Sequence, residues 1–255
     1  MKNFIETLWL RNETLAIFGA LNLLAALAFF ILCRTTQLEV AGVNAWFKPA
    51  KFALSIGIFS WTMGWYAAYL DEPGVVRVFN WVVVLTLGFE ILYISLQAGR
   101  GQLSHYNLSS PTYSFLYFLM ALAATIVTLW TAYFGLLFFQ KQLPELPGYY
   151  LWGIRLGIII FVVFSFEGFV MGSRMSHTVG GLDGDHGIPF LGWSTKFGDP
   201  RVAHFIGMHA LQVLPLLAFY VLKNTKLTLA TGLMYGLLAV WVLTQALAGK
   251  PFMRL

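Results

Sequence analysis

Apolar residues fill most of this chain in stretches of about 20, broken by short segments rich in Pro, Gly, Asn and charge. A helix of that length matches the ~30 Å hydrocarbon core of a bilayer. The pattern predicts seven spanning helices. The first runs about Glu13 to Cys33, with Asn12 as its N-cap, and the second begins near Pro49, a natural first-turn residue, and ends near Leu70. After the Asp71-Glu72-Pro73-Gly74 turn, the third runs Val75 to Ala98 and stops at Gly99-Arg100-Gly101. The fourth, Tyr113 to Phe139, follows Ser109-Ser110-Pro111, and Pro144 and Pro147-Gly148 separate it from the fifth, Tyr149 to Gly172. A Gly-rich loop containing Gly180 to Gly187 leads to the sixth, Arg201 to Leu222, and the seventh, Leu227 to Ala248. The expected fold class is an all-α integral membrane protein, a bundle of about seven transmembrane helices forming a single polytopic domain over residues 1–255.

Composition agrees with the pattern. Of 255 residues 58% are hydrophobic and 11% charged, where a soluble domain carries about 25% charge. The net charge of +5 is spread over short loops, a topology and lipid-surface signal and not a nucleic-acid patch. A single cysteine, Cys33, leaves no intrachain disulfide and no C-x-x-C metal motif. The longest polar interval, about Ser173 to Asp199, is too short for a soluble domain. The first apolar run is too long for the core of a signal peptide, and no A-x-A site follows it. Gly153/Gly157, Gly168/Gly172 and Gly232/Gly236 are small-residue pairs that permit close helix approach. Trp46, Tyr149, Tyr150, Trp152 and Trp193 fall near helix ends, as interfacial belts do.

The candidate chemistry lies in the polar residues inside these apolar segments. Glu90, Gln97, Arg100 and His105 cluster towards the end of the third helix, and Glu167, Arg174 and His177 towards the end of the fifth. Arg201, His204, His209 and Gln212 open the sixth. Lys48, Lys51 and Ser55 enter with the second, and Thr244 and Gln245 leave with the seventh. An ionisable group in hydrocarbon is costly unless paired or solvated, so each marks a functional site by default. With a rise of ~1.5 Å per residue, Glu90, Glu167 and His209 are expected roughly 7 to 12 Å below one membrane face. One reading makes Glu90–Arg100 and Glu167–Arg174 buried ion pairs that fix helix register. The number of additional His and Gln residues at that depth favours a wet, functional cavity. Phe89-Glu90 and Phe166-Glu167, each followed by a Ser-His, resemble each other, but the unequal spacings make chance similarity the plainer account.

Three chemistries fit such a cavity. A haem or transition metal would draw on His204, His209, His105 and His177, with Glu90 and Glu167 as oxygen ligands. The spacing from His204 to His209 argues against adjacent ligands, since it sets the imidazoles ~140° apart on a helix. Proton-coupled transport would use the carboxylates and histidines as relays and Arg100, Arg174, Lys48 and Lys51 to attract a small anion. Acid–base catalysis on a lipid or quinone would use Glu or His as the base and Arg for the headgroup. Glu90, Glu167, Arg100 and Arg174 are the expected catalytic residues, and Lys48, Lys51, Gln97 and Gln212 the expected cofactor-binding ones. The leading expectation is a metal- or haem-dependent redox protein acting on a quinone or lipid. A proton-coupled transporter for a small anion comes second, and an assembly scaffold third. Asp183 and Asp185 begin like a calcium loop but lack its remaining ligands, so Gly180 to Gly187 reads better as a lid, tethered by His186 and the 193–201 segment. The expected location is a bacterial inner membrane. Lys and Arg number seven on the N-terminal side and nine opposite, and setting aside five site residues leaves four against seven. That leaning places the N-terminus in the cytoplasm and the site outward.

Overall fold

The structure, a computed structural model, describes residues 3–183, 187–188 and 190–254. Among the described residues eight α-helices follow one another: α1 (Phe4–Arg11), α2 (Glu13–Thr35), α3 (Phe47–Ala67), α4 (Pro73–Gly99), α5 (Pro111–Gln140), α6 (Gly148–Arg174), α7 (Arg201–Leu217) and α8 (Thr225–Leu247). A two-residue hairpin, β1 (Glu39–Val40) and β2 (Val43–Asn44), joins α2 to α3. Asparagine side chains start three of the helices: Asn3, Asn12 and Asn224 accept from the backbone N–H of Glu6, Leu15 and Leu227. Pro215 cannot donate a backbone N–H inside α7, and the helix widens just after it into a π turn, Ala218–Leu222.

Each of the seven expected segments forms a helix. Six of them are long and apolar enough to cross a membrane among the described residues: α2, α4, α5, α6, α8, and α7 with its π turn. The expected second span is α3, which is not among these six. Lys48 and Lys51 open it, and Trp61, Thr62, Trp65 and Tyr66 further lower its mean hydropathy. Two elements were not expected. Helix α1 has only 8 residues, too few to show a period. The hairpin turn depends on positive φ at Ala41 and Gly42 (52° and 77°), which alanine does not signal.

The chain forms two compact units, Met1–Trp130 and Thr131–Leu255. In the first, α2 and α3 approach so closely that a Cβ on Gly57 would lie 3.1 Å from the Gly19 carbonyl oxygen. Trp61 donates its indole N–H to the Ala16 carbonyl at 3.0 Å, and Ala26, Ala53, Ile56 and Ile91 form a core beside it. Asn12 and Asn80, both buried, exchange amide hydrogen bonds of 2.9 and 3.0 Å and clasp α2 to α4. Arg11 lies over the Trp65 ring (4.0 Å) and the Tyr69 ring (4.7 Å) and donates to the Trp65 carbonyl.

In the second unit α6 runs against α7 with almost nothing between the backbones. A Cβ on Gly157 would lie 2.8 Å from the Ala210 carbonyl oxygen, so the small-residue pair Gly153/Gly157 does permit the approach its spacing suggested. Helix α8 packs on both helices: Tyr235 donates its hydroxyl to the Ile206 carbonyl at 2.6 Å, and Gly232 lies under Leu156. Ile160, Phe164, Ala203, Ala210, Leu214 and Val242 form this core.

Candidate functional site

The close α6–α7 approach sets one side chain from each helix face to face. Glu167 stands seven residues before the end of α6, and His204 is the fourth residue of α7. The His204 Nδ1 lies 3.3 Å from the Glu167 Oε2, near enough for an ion pair but not aligned as a hydrogen bond. Both Glu167 oxygens and the His204 Nδ1 are buried without a hydrogen-bond partner. The imidazole as a whole is 29% exposed and the carboxylate side chain 4%, so His204 has one edge inside and another towards the surroundings. Gly168 leaves room for the ring, since a Cβ there would sit 3.4 Å from its Cε1.

One turn further along α7, His209 packs edge-on to Phe205 at 4.3 Å and takes a side-chain hydrogen bond with Gln212. Phe205 in turn meets Trp193 at 5.4 Å. The loop carrying Trp193 is fastened to the start of α7. Asp199, whose side chain is fully buried, accepts from the Ser194 backbone N–H and pairs with Arg201 through two bonds of 2.6 and 2.9 Å. Arg201 also donates to the Gly192 carbonyl. The expected tether of the 193–201 segment is therefore made by Asp199, which the sequence reading did not single out. Its Asp-Pro-Arg opening of a helix was the available signal. His186, the other expected tether, lies outside the described residues, as do Gly184 and Asp185.

Arg174 ends α6 and is exposed. Two helical turns, about 10 Å of rise, separate it from Glu167, and it makes no ion pair with it among the described residues. The register-fixing pair expected there is replaced by Glu167–His204. Beyond Arg174 an open hollow of about 580 Å³ is lined by Ser176, Thr178, Gly180, Gly181 and Asp183. The Asp183 carboxylate accepts from the backbone N–H of His177 (2.9 Å) and from the Ser176 hydroxyl (2.8 Å), and lies 3.1 Å from the His177 Nδ1. Burial alone would raise its pKa, but the hydrogen bonds from His177, Thr178 and Ser176 outweigh that and hold it well below the usual carboxylate range. Asp183 is thus committed to the turn after α6, and His177 belongs to that turn.

The first unit holds a buried carboxylate of its own. Glu90 is 7% exposed, and its Oε1 has no hydrogen-bond partner. Lys48, in the first turn of α3, is the cation that acts on it. Arg100 is exposed at the C-cap of α4, about 15 Å of helix away. The expected Glu90–Arg100 pair is not formed among the described residues, and distance along the helix is the reason. Tyr93, one turn on from Glu90, buries a hydroxyl that also has no partner. Lys51, one turn after Lys48, is half-buried. Gln97 is buried and donates to the Leu103 carbonyl at 3.1 Å, a structural bond closing the loop after α4. His105 lies among Phe52, Tyr106 and Tyr117, with ring centroids 5.8, 6.3 and 6.1 Å away.

The metal and haem expectations find no support in this geometry. Among the described residues no three His, Cys, Asp or Glu side chains come together as a metal-binding group. His204 turns to Glu167 while His209 stacks on Phe205, as the angular separation along one helix requires. Comparison of the chain with models of protein families, with curated proteins and with solved structures finds no match in any of the three.

Proposed function

We propose that the protein is a proton-coupled membrane carrier for a small anionic solute, with Glu167 and His204 as its proton-exchanging pair. The observation that carries this reading is a buried carboxylate in a membrane-length helix, with no hydrogen bond to either oxygen and an imidazole 3.3 Å away. An ionised carboxylate so placed costs several kcal/mol, about the scale seen when a buried pair loses a partner. Taking a proton removes that cost, and imidazole is the side chain that passes protons near neutral pH. His204, partly exposed, would receive the proton and hand it to Glu167 through Nδ1. The anion is assigned to the hollow beyond α6. Asp183 is already saturated there by its donors, and the Arg174 guanidinium is the charge left to attract a solute.

Purified protein in liposomes holding a pH-sensitive dye tests the reading. Addition of small carboxylates or inorganic phosphate is expected to drive proton entry in the wild type and not in E167Q. Flux indifferent to the proton gradient, or an E167Q protein as fast as the wild type, overturns it. A visible spectrum and elemental analysis of the same preparation test the competing redox reading. A Soret band or stoichiometric Fe, Cu or Zn would put a quinone- or lipid-directed redox protein in the carrier's place.

A further inference from the structure

A second cavity belongs to neither carboxylate site. Between α2 and α4 in the first unit runs an open groove of about 300 Å³, walled by Ile17, Phe18, Leu21, Trp81 and Val84, with Glu13 and Thr14 at one end. Both helices are of membrane-spanning length, and Ile17, Leu21 and Trp81 are exposed, so the walls face hydrocarbon. The buried Asn12–Asn80 clasp fixes the polar end of the groove at the level where α2 begins.

One charge lines this end, and an opposite one lies one helical turn before Trp81 on α4. Glu13, the first residue of α2, is exposed and makes no hydrogen bond or ion pair among the described residues. Arg77, four residues before Trp81 and so on the same face of α4, is exposed and equally without a bond. Glu13 suits the positive end of a helix dipole, which accounts for a carboxylate at that position. It does not account for an unpaired guanidinium one turn from Trp81 on the same helix face. An apolar trough with an unpaired anion at its end and an unpaired cation one turn beyond its Trp81 wall matches the layout of one class of ligand: an acyl chain attached to a phosphate and an ammonium.

We infer that this groove is a specific site for a zwitterionic, amine-headgroup phospholipid. The acyl chain lies along Phe18, Leu21 and Trp81, the ammonium meets Glu13, and the phosphate meets Arg77. The site is independent of the Glu167–His204 pair. An anionic lipid lacks the ammonium, and Glu13 would repel it. A choline headgroup carries the charge but no N–H to donate to the carboxylate.

The full chain reconstituted into nanodiscs of phosphatidylethanolamine, phosphatidylglycerol and phosphatidylcholine in equal parts, then released and weighed intact by native mass spectrometry, tests the inference. Phosphatidylethanolamine adducts are expected to exceed their bulk share by about fivefold, the scale of one exposed ion pair. E13Q should return the ratio to bulk while E13D retains most of it, and R77A should lower retention of both phosphatidylethanolamine and phosphatidylcholine. Adducts in bulk proportion, or enrichment unchanged in E13Q, overturn the inference in favour of non-selective boundary lipid. Preferential phosphatidylglycerol binding overturns it in favour of a simple cation site at Arg77. Each ratio is read only from variants that melt within a few degrees of the wild type, so that misfolding is not mistaken for loss of the site.

Discussion

Two carboxylates, Glu90 and Glu167, are buried to the same degree on helices of the same length, 27 residues each, yet they meet different chemistry. Glu90 is answered by Lys48, an ammonium that stays protonated far above neutral pH in its ordinary state, at about 10. Glu167 is answered by His204, an imidazole whose Nδ1 lies 3.3 Å from its Oε2. A lysine brings a nearby positive charge and no hydrogen bond to the buried Oε1. A histidine brings a ring nitrogen within ion-pair distance of the carboxylate. Position and residue type alone would have given both carboxylates the same role, and it is the facing helix that separates them.

The sharpest way to break this comparison is to neutralise each carboxylate in turn. E167Q is expected to cut proton-coupled flux by at least about 100-fold, the lower end of what a positioned acid–base group contributes, and to leave melting nearly unchanged. E90Q should leave proton coupling intact and shift melting by no more than about 1 kcal/mol, since it replaces a buried carboxylate that Lys48 only influences at a distance. Flux lost in E90Q at full stability would make Glu90 a second proton carrier and end the distinction. Next in size, H204A strands the Glu167 carboxylate and should cost about 3 kcal/mol, most of it recovered in the double variant H204A/E167Q. Additive losses in that cycle would mean the two side chains do not act as a pair. Gly157→Leu and Gly57→Leu compare the two close helix crossings. Each should cost about 1–3 kcal/mol through overpacking, but Gly157→Leu alone should also disturb flux.

The smallest effect concerns the turn after α6. Its Asp183 has a folded-state pKa below the ordinary carboxylate value, so the stability it lends is complete above about pH 4 and falls away as pH drops towards the folded value. With its side chain 35% exposed, D183N should cost under about 1 kcal/mol. Proteolysis of segment 175–183 should accelerate in D183N at neutral pH and in the wild type only in acid.

The apolar runs and their Asn, Pro and Gly borders carried almost all of the helical architecture, because a spanning helix must satisfy its backbone internally and advertises itself by length. They could not say that α3 differs from its neighbours. Its Trp, Tyr, Thr and Lys residues resemble an interfacial segment until Gly19, Ala53 and Gly57 are seen drawing α2 against it. The site residues were visible as polar interruptions, and Glu167 and His204 were both among them. Their pairing was not visible. Spacing along one helix pointed to Arg174 seven residues on, whereas the partner came from the next helix, through a crossing that depends on Gly157 and Ala210. Periodicity reports which residues share a face, and nothing in it reports which face of which neighbour lies opposite.

That crossing also acts as a mechanical constraint. With Gly157 set against the Ala210 backbone and the Phe164 ring packed on Gly207, the separation of Glu167 and His204 is tied to the register of α6 along α7. One residue of slip is about 1.5 Å, enough to take a 3.3 Å contact out of reach. The Glu167–His204 distance is therefore a gauge of helix register, readable from any change in how α6 meets α7.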